Sequence, residues 1–133
     1  MGSPLSERES QNRRLLRARD EIDRAYAEPL DVASLAAVAY VSPAHFIRTF
    51  KATFGEAPHR YLQRRRIERA MAMLRDTDTP VTEVSTAVGF QSLGTFSRTF
   101  RQIVGRSPSK YRDTAASYHA PGCFTRTWMR PAG

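Results

Sequence analysis

An internal repeat constrains this chain more than any other feature. Displaced by 50 residues, Ser42, Phe46, Arg48, Thr49, Phe50, Gly55, Pro58 and Tyr61 recur as Ser92, Phe96, Arg98, Thr99, Phe100, Gly105, Pro108 and Tyr111. Eight identities in twenty positions at unvarying spacing, with Lys51 replaced by Arg101 so that charge is kept, mean one local structure built twice. Upstream the offset becomes 49, with Leu35, Ala36 and Val38 facing Val84, Ser85 and Ala87, so the second copy carries one extra turn residue, Gln91.

Each copy reads as helix, tight turn, helix. In the first, Val32, Leu35, Ala36 and Ala39 keep helical spacing after a cap at Asp31, and Ser42-Pro43 restarts the chain with an N-cap and a first-turn proline. Phe46, Ile47, Phe50 and Phe54 follow until Gly55 stops the helix. In the second, Pro80 and Thr82 open a helix carrying Val81, Val84 and Val88; Gly89 makes the turn, Ser92 caps, and Phe96, Phe100, Ile103 and Val104 run to Gly105. The aromatic stripes follow the 3.6-residue period and are read as core, not as base-stacking platforms.

The rest of the chain divides around these copies. Residues 1–12 are polar and expected to be mobile, and 13–56 form the first helix-turn-helix lobe, covered by an amphipathic helix over 13–28. Residues 57–76 form the linker, whose long helix, from Pro58 to about Arg75, spans about 27 Å at 1.5 Å per residue. That length, with the lobes added, suits recognition helices about 34 Å apart on one face of DNA. Residues 77–114 form the second lobe, ending in a short helix near Tyr111, and 115–133 are a C-terminal extension. The fold class is all-α, with about seven helices.

Charge narrows the function. Lys and Arg number 21 against 13 Asp and Glu, a net +8 that attracts polyanions, nucleic acid before an anionic membrane surface. No apolar run approaches a membrane span and the start lacks a secretory core, so a cytoplasmic protein is expected, with no membrane partner. With Cys123 as the single cysteine, no internal disulfide forms, and neither metal nor cofactor is expected. His45, His59 and His119 are scattered, without a triad, paired carboxylates or a phosphate loop, so no catalytic residue is assigned and the chain is not read as an enzyme.

A second helix that enters the major groove needs an apolar inner face and an outer face that reaches bases. The outward set is Ser42, Ala44, His45, Ile47, Arg48 and Lys51 in the first copy, and Ser92, Leu93, Gly94, Thr95, Ser97, Arg98 and Arg101 in the second. Arg48 and Arg98 precede the core phenylalanines by two residues and so project away from them, placed to bond guanine O6 and N7. Ser42 and Ser92 read first as caps. Lys51, Arg101, Arg106 and Lys110 suit phosphate clamping or an ordinary charged surface. Arg64, Arg65, Arg66 and Arg69 are expected mainly to solvate the connector.

These residues resemble the DNA-binding domain of the AraC/XylS family. The resemblance is carried by 42–51, by Gly55-Glu56-Ala57-Pro58 with Tyr61-Leu62, and by Val88-Gly89-Phe90-Gln91-Ser92 with 96–101 and 105–108; it covers about 15–113. It implies a seven-helix regulator, binding double-stranded DNA as a monomer through two adjacent major grooves, and activating promoters, often by touching RNA polymerase. No separate effector domain is read, as in the short members that stand alone, or in a fragment of a longer one. Three departures stand out. Tyr40 replaces the glycine usual in the first turn, where a bulky residue at positive φ would be strained, so that turn is expected to differ. Leu93-Gly94 replaces larger polar residues, implying fewer base contacts and more reliance on phosphates and DNA shape. Residues 118–133, with Phe124, Arg126, Trp128, Met129 and Arg130, extend past the usual end, either packed on the body or meeting a partner.

Two other classes remain: a charge-driven architectural or RNA-binding protein, and a DNA-repair methyl acceptor through Cys123 beside Arg126.

Overall fold

The computed structural model describes residues 4–119, and the regular structure among them is entirely helical: α1 (Pro4–Arg24), α2 (Val32–Val38), α3 (Pro43–Phe54), α4 (Pro58–Asp76), α5 (Val81–Ala87), α6 (Leu93–Val104) and α7 (Pro108–His119). Two compact units, Met1–Arg66 and Ile67–Gly133, divide the chain. The boundary falls inside α4, so the helix expected as a separate linker gives its first half to one core and its second half to the other.

In the first unit, Leu15, Ala18 and Ile22 recur at helical spacing on α1 and are buried together with Leu35, Ala36, Ala39, Phe46, Phe50 and Leu62. Burying a phenylalanine or leucine side chain favours the fold by about 1.5–3 kcal/mol. The rings interlock: Phe46 and Phe50 lie 5.5 Å apart, and Phe50 meets Phe54 at 4.6 Å and Tyr61 at 5.8 Å. The Tyr61 hydroxyl donates to Asp23 Oδ1 at 2.8 Å. Burial, reinforced by that carboxylate, pushes the Tyr61 phenol up to about 12.

The second unit repeats this plan. Ile67, Ala70 and Leu74 of α4 are buried, as are Val84, Val88, Phe90, Phe96, Phe100 and Ala115. Phe96 and Phe100 lie 5.7 Å apart and Phe100 meets Tyr111 at 5.7 Å, matching the Phe46–Phe50–Tyr61 trio at the 50-residue offset. In place of the Phe54 contact, Phe90 packs edge-on against Phe96 at 5.3 Å.

Helix ends depart from expectation at both termini. α1 begins at Pro4, within the segment read as mobile, because a first-turn proline followed by helix-compatible polar residues extends a helix already anchored at Leu15. It ends at Arg24 instead of 28, ahead of Pro29. α7 is a full twelve residues, longer than the short helix expected near Tyr111. Cys123, Phe124, Arg126, Trp128, Met129 and Arg130, and with them the readings of the C-terminal extension and of Cys123 as a reactive thiol, lie outside the described residues.

Candidate nucleic-acid interface

Both helix-turn-helix elements close with the same hydrogen-bond pattern. At the end of α2, Val41 N–H donates to Ala36 O and Tyr40 N–H to Ala37 O, each at 3.1 Å; at the end of α5, Phe90 N–H donates to Ser85 O at 3.0 Å and Gly89 N–H to Thr86 O at 3.1 Å. This nested pair is a Schellman motif, which requires a left-handed residue at its pivot. The pivot is Gly89 (φ 101) in the second unit and Tyr40 (φ 59) in the first. The expectation that Tyr40 would change the turn is therefore corrected: the two carbonyl bonds hold the backbone left-handed, and the ring turns outward to 75% exposure. From pivot to next cap there is one residue in the first turn, Val41, and two in the second, Phe90 and Gln91.

The caps then launch the second helices. Ser42 Oγ accepts from His45 N–H at 3.3 Å and Ser92 Oγ from Thr95 N–H at 3.1 Å, while Asp31 caps α2 by accepting from Ser34 N–H at 2.7 Å. Hydrogen bonding from Ser34 lowers the Asp31 carboxyl below its ordinary value. Gly55 (φ 85) and Gly105 (φ 91) end α3 and α6 in the left-handed region. Each second helix is thereby fixed in length, start and facing by local chemistry.

Every outward residue expected from the sequence reaches solvent. On α3, Ala44, Ile47, Arg48 and Lys51 are exposed and His45 is half-covered; on α6, Leu93, Gly94, Thr95, Arg98 and Arg101 are exposed and Ser97 is half-covered. Both capping serines are exposed as well. Among the described residues, Arg48, Lys51, Arg98 and Arg101 have no ion-pair or side-chain hydrogen-bond partner, so their donors are free. Around α6, a cavity of about 430 Å³ gathers Leu93, Gly94, Ser97, Arg98 and Arg101 with Val81, Ser107, Pro108 and Ser109.

The arginines of α4 behave differently from expectation. Arg64 Nη2 pairs with Glu56 at 2.6 Å and its guanidinium lies 5.3 Å from the Tyr61 ring, and Arg65 Nε lies 3.0 Å from Asp23. Arg66 donates to the carbonyls of Tyr26 (2.6 Å) and Glu28 (2.9 Å), closing the loop between α1 and α2. Burial lowers the Arg66 pKa. These three are structural: their partners are a carboxylate between α3 and α4, a carboxylate near the end of α1 and two carbonyls of the loop that follows α1. Arg112, which the sequence did not single out, does the same work in the second unit by donating to Leu74 O, Thr77 O and Thr79 O at 3.0, 3.2 and 2.6 Å. Arg106 donates to Thr114 Oγ1 at 3.1 Å, which ties it to α7.

Two capped, glycine-terminated helices, each preceded by a short helix and a tight turn and each carrying free cations outward, define a tandem helix-turn-helix DNA-binding domain. A helix-turn-helix family model matches residues 35–114. The chain is 40% identical over 85 residues to the HTH-type transcriptional regulator Rv1931c of Mycobacterium tuberculosis, covering 64% of this chain and 33% of that protein. It is 36% identical over 91 residues to an AraC-like transcription regulator of Streptomyces antibioticus, covering 68% and 30%. Its fold matches the DNA-binding domain of the global transcriptional factor AdpA, solved in complex with a target DNA, with a TM-score of 0.76 and 32% identity over 81% of this chain and 96% of that one. The chain belongs to the AraC family of transcriptional regulators and carries its DNA-binding domain. It spans about a third of the length of these two regulators. Among the described residues no helix is long and apolar enough to cross a membrane.

Proposed function

We propose that this chain reads specific sequences of double-stranded DNA by placing α3 and α6 in successive major grooves, as one copy on an asymmetric site of about 20 base pairs. The observation that carries the reading is the recurrence, at the same register of both helices, of an exposed arginine without a partner among the described residues, Arg48 and Arg98. A lone solvated arginine would mean little; the same one in each copy, two residues before a buried phenylalanine, suits the paired contact to guanine O6 and N7. Ser42, Ala44, His45, Ile47 and Lys51 complete the first interface, and Ser92, Leu93, Gly94, Thr95, Ser97 and Arg101 the second. The family resemblance supports an activator that touches RNA polymerase in the cytoplasm.

Selection from a pool of random duplexes tests the reading, and a sharp motif is expected. On the selected site Arg48→Ala lowers affinity by about 1–3 kcal/mol while binding to random duplex hardly changes. Equal losses on both would assign Arg48 to phosphates and favour charge-driven binding. Transcription in vitro from a promoter bearing the motif rises with added protein if the regulator is an activator.

A further inference from the structure

The first turn of α6 holds two residues whose identity nothing among the described residues explains. Leu93 leaves 43% of its surface exposed. Gly94 has no left-handed backbone to serve, and a Cβ added there would meet nothing within 4 Å, so alanine, the better helix former, would fit. Glycine without an internal reason marks close approach by something outside the chain. At the 50-residue offset, Gly94 and Ser97 stand where α3 carries Ala44 and Ile47, and these smaller residues border the cavity of about 430 Å³. Its lining is apolar at Leu93, Val81 and Pro108 and cationic at Arg98 and Arg101.

That combination narrows the occupant. The cations draw a polyanion, and the apolar lining calls for a hydrocarbon group on it. In the major groove the group of that kind among the base-pair edges is the 5-methyl of thymine. We propose that the first turn of α6 reads a thymine through its 5-methyl group, seated between Leu93 and the bare backbone of Gly94. This rests on α6 being a major-groove helix, as given above. It departs from the expectation that Leu93-Gly94 leaves the second copy to phosphates and DNA shape: the pair exchanges a polar contact for an apolar one.

The test starts from the duplex that the chain selects out of a random pool, with each thymine in turn replaced by deoxyuridine. This removes the methyl and leaves every hydrogen-bonding group in place. Affinity is expected to fall about four-fold at one position, the equivalent of one buried methyl group. In Leu93→Ala, a half-exposed position whose thermal melt should fall only slightly below the parent's, that thymine becomes indifferent to the replacement. Gly94→Ala should melt no lower than the parent, yet bind the thymine duplex several-fold more weakly. Tolerance of deoxyuridine throughout a sharp motif, a motif without a methyl-sensitive thymine, or an equal loss in Leu93→Ala and the parent overturns the methyl contact and leaves the major-groove reading standing. A chain that selects no motif overturns both.

Discussion

The two helix-turn-helix units agree where they face inward and diverge where they face outward. Each has a Schellman turn, a serine cap, a glycine stop and a trio of rings, Phe46–Phe50–Tyr61 or Phe96–Phe100–Tyr111. Their outer positions differ: Ala44, His45 and Ile47 stand opposite Gly94, Thr95 and Ser97, and beyond the capping serine only the arginine is common. Packing imposes the same solution twice because a helix pair of this length has few ways to bury two phenylalanines, whereas no core contact constrains the outward positions. The units are one scaffold with two different outer faces.

The largest effect expected from this comparison lies in the shared core. Phe50 and Phe100 are both fully buried, so Phe50→Ala and Phe100→Ala should each cost about 3–5 kcal/mol in urea unfolding. Phe50→Ala should be the more severe, since that ring meets Phe46, Phe54 and Tyr61 where Phe100 meets Phe96 and Tyr111. The reverse order would mean that the cores are less alike than their rings suggest. Next come the two arginines that close the loops ahead of α2 and α5. Arg66→Ala and Arg112→Ala each free two loop carbonyls, the second also Leu74 O in the last turn of α4, and should lower stability by about 1.5–3 kcal/mol. Arg→Lys should restore less than half, because a compact ammonium cannot fork between carbonyls as guanidinium does. Full rescue by lysine would reduce both contacts to simple charge.

What could be read from the sequence was whatever local chemistry decides. The repeat, the caps at Asp31, Ser42 and Ser92, the stops at Gly55 and Gly105 and the extra residue Gln91 all depend on neighbours within a few positions. Arg64, Arg65 and Arg66 looked like a solvated run because their partners Glu56, Asp23, Tyr26 and Glu28 lie 8 to 42 residues away and are brought near only by the packing of the helices. Arg112 gave no signal for the same reason. The sharing of α4 between two cores was hidden because its buried residues, Leu62 before the boundary and Ile67, Ala70 and Leu74 after it, form one continuous helical pattern. The cavity beside α6 arises from residue sizes on three helices and their connections, which no one-dimensional pattern records. At Tyr40 the conflict was visible and its resolution was not: the side chain objects to positive φ, but two backbone hydrogen bonds prevail.

That conflict supplies the finest test of how alike the turns are. A non-glycine residue in the left-handed region costs about 1–2 kcal/mol, and glycine loses about 0.5–1 kcal/mol more chain entropy on folding. Tyr40 is 75% exposed, so removing its ring forfeits little packing. Tyr40→Gly should therefore stabilise the first unit by about 0.5–1 kcal/mol, the difference of those two contributions. At Gly89, whose φ of 101 lies farther from the ordinary left-handed well than the 59 of Tyr40, Gly89→Ala should be destabilising by a larger amount. Opposite signs in paired urea midpoints would establish that the turns are interchangeable pivots. A loss of stability in Tyr40→Gly would show instead that the exposed ring is anchored in the folded first unit, and that the two turns are alike in hydrogen bonding but not in what holds them.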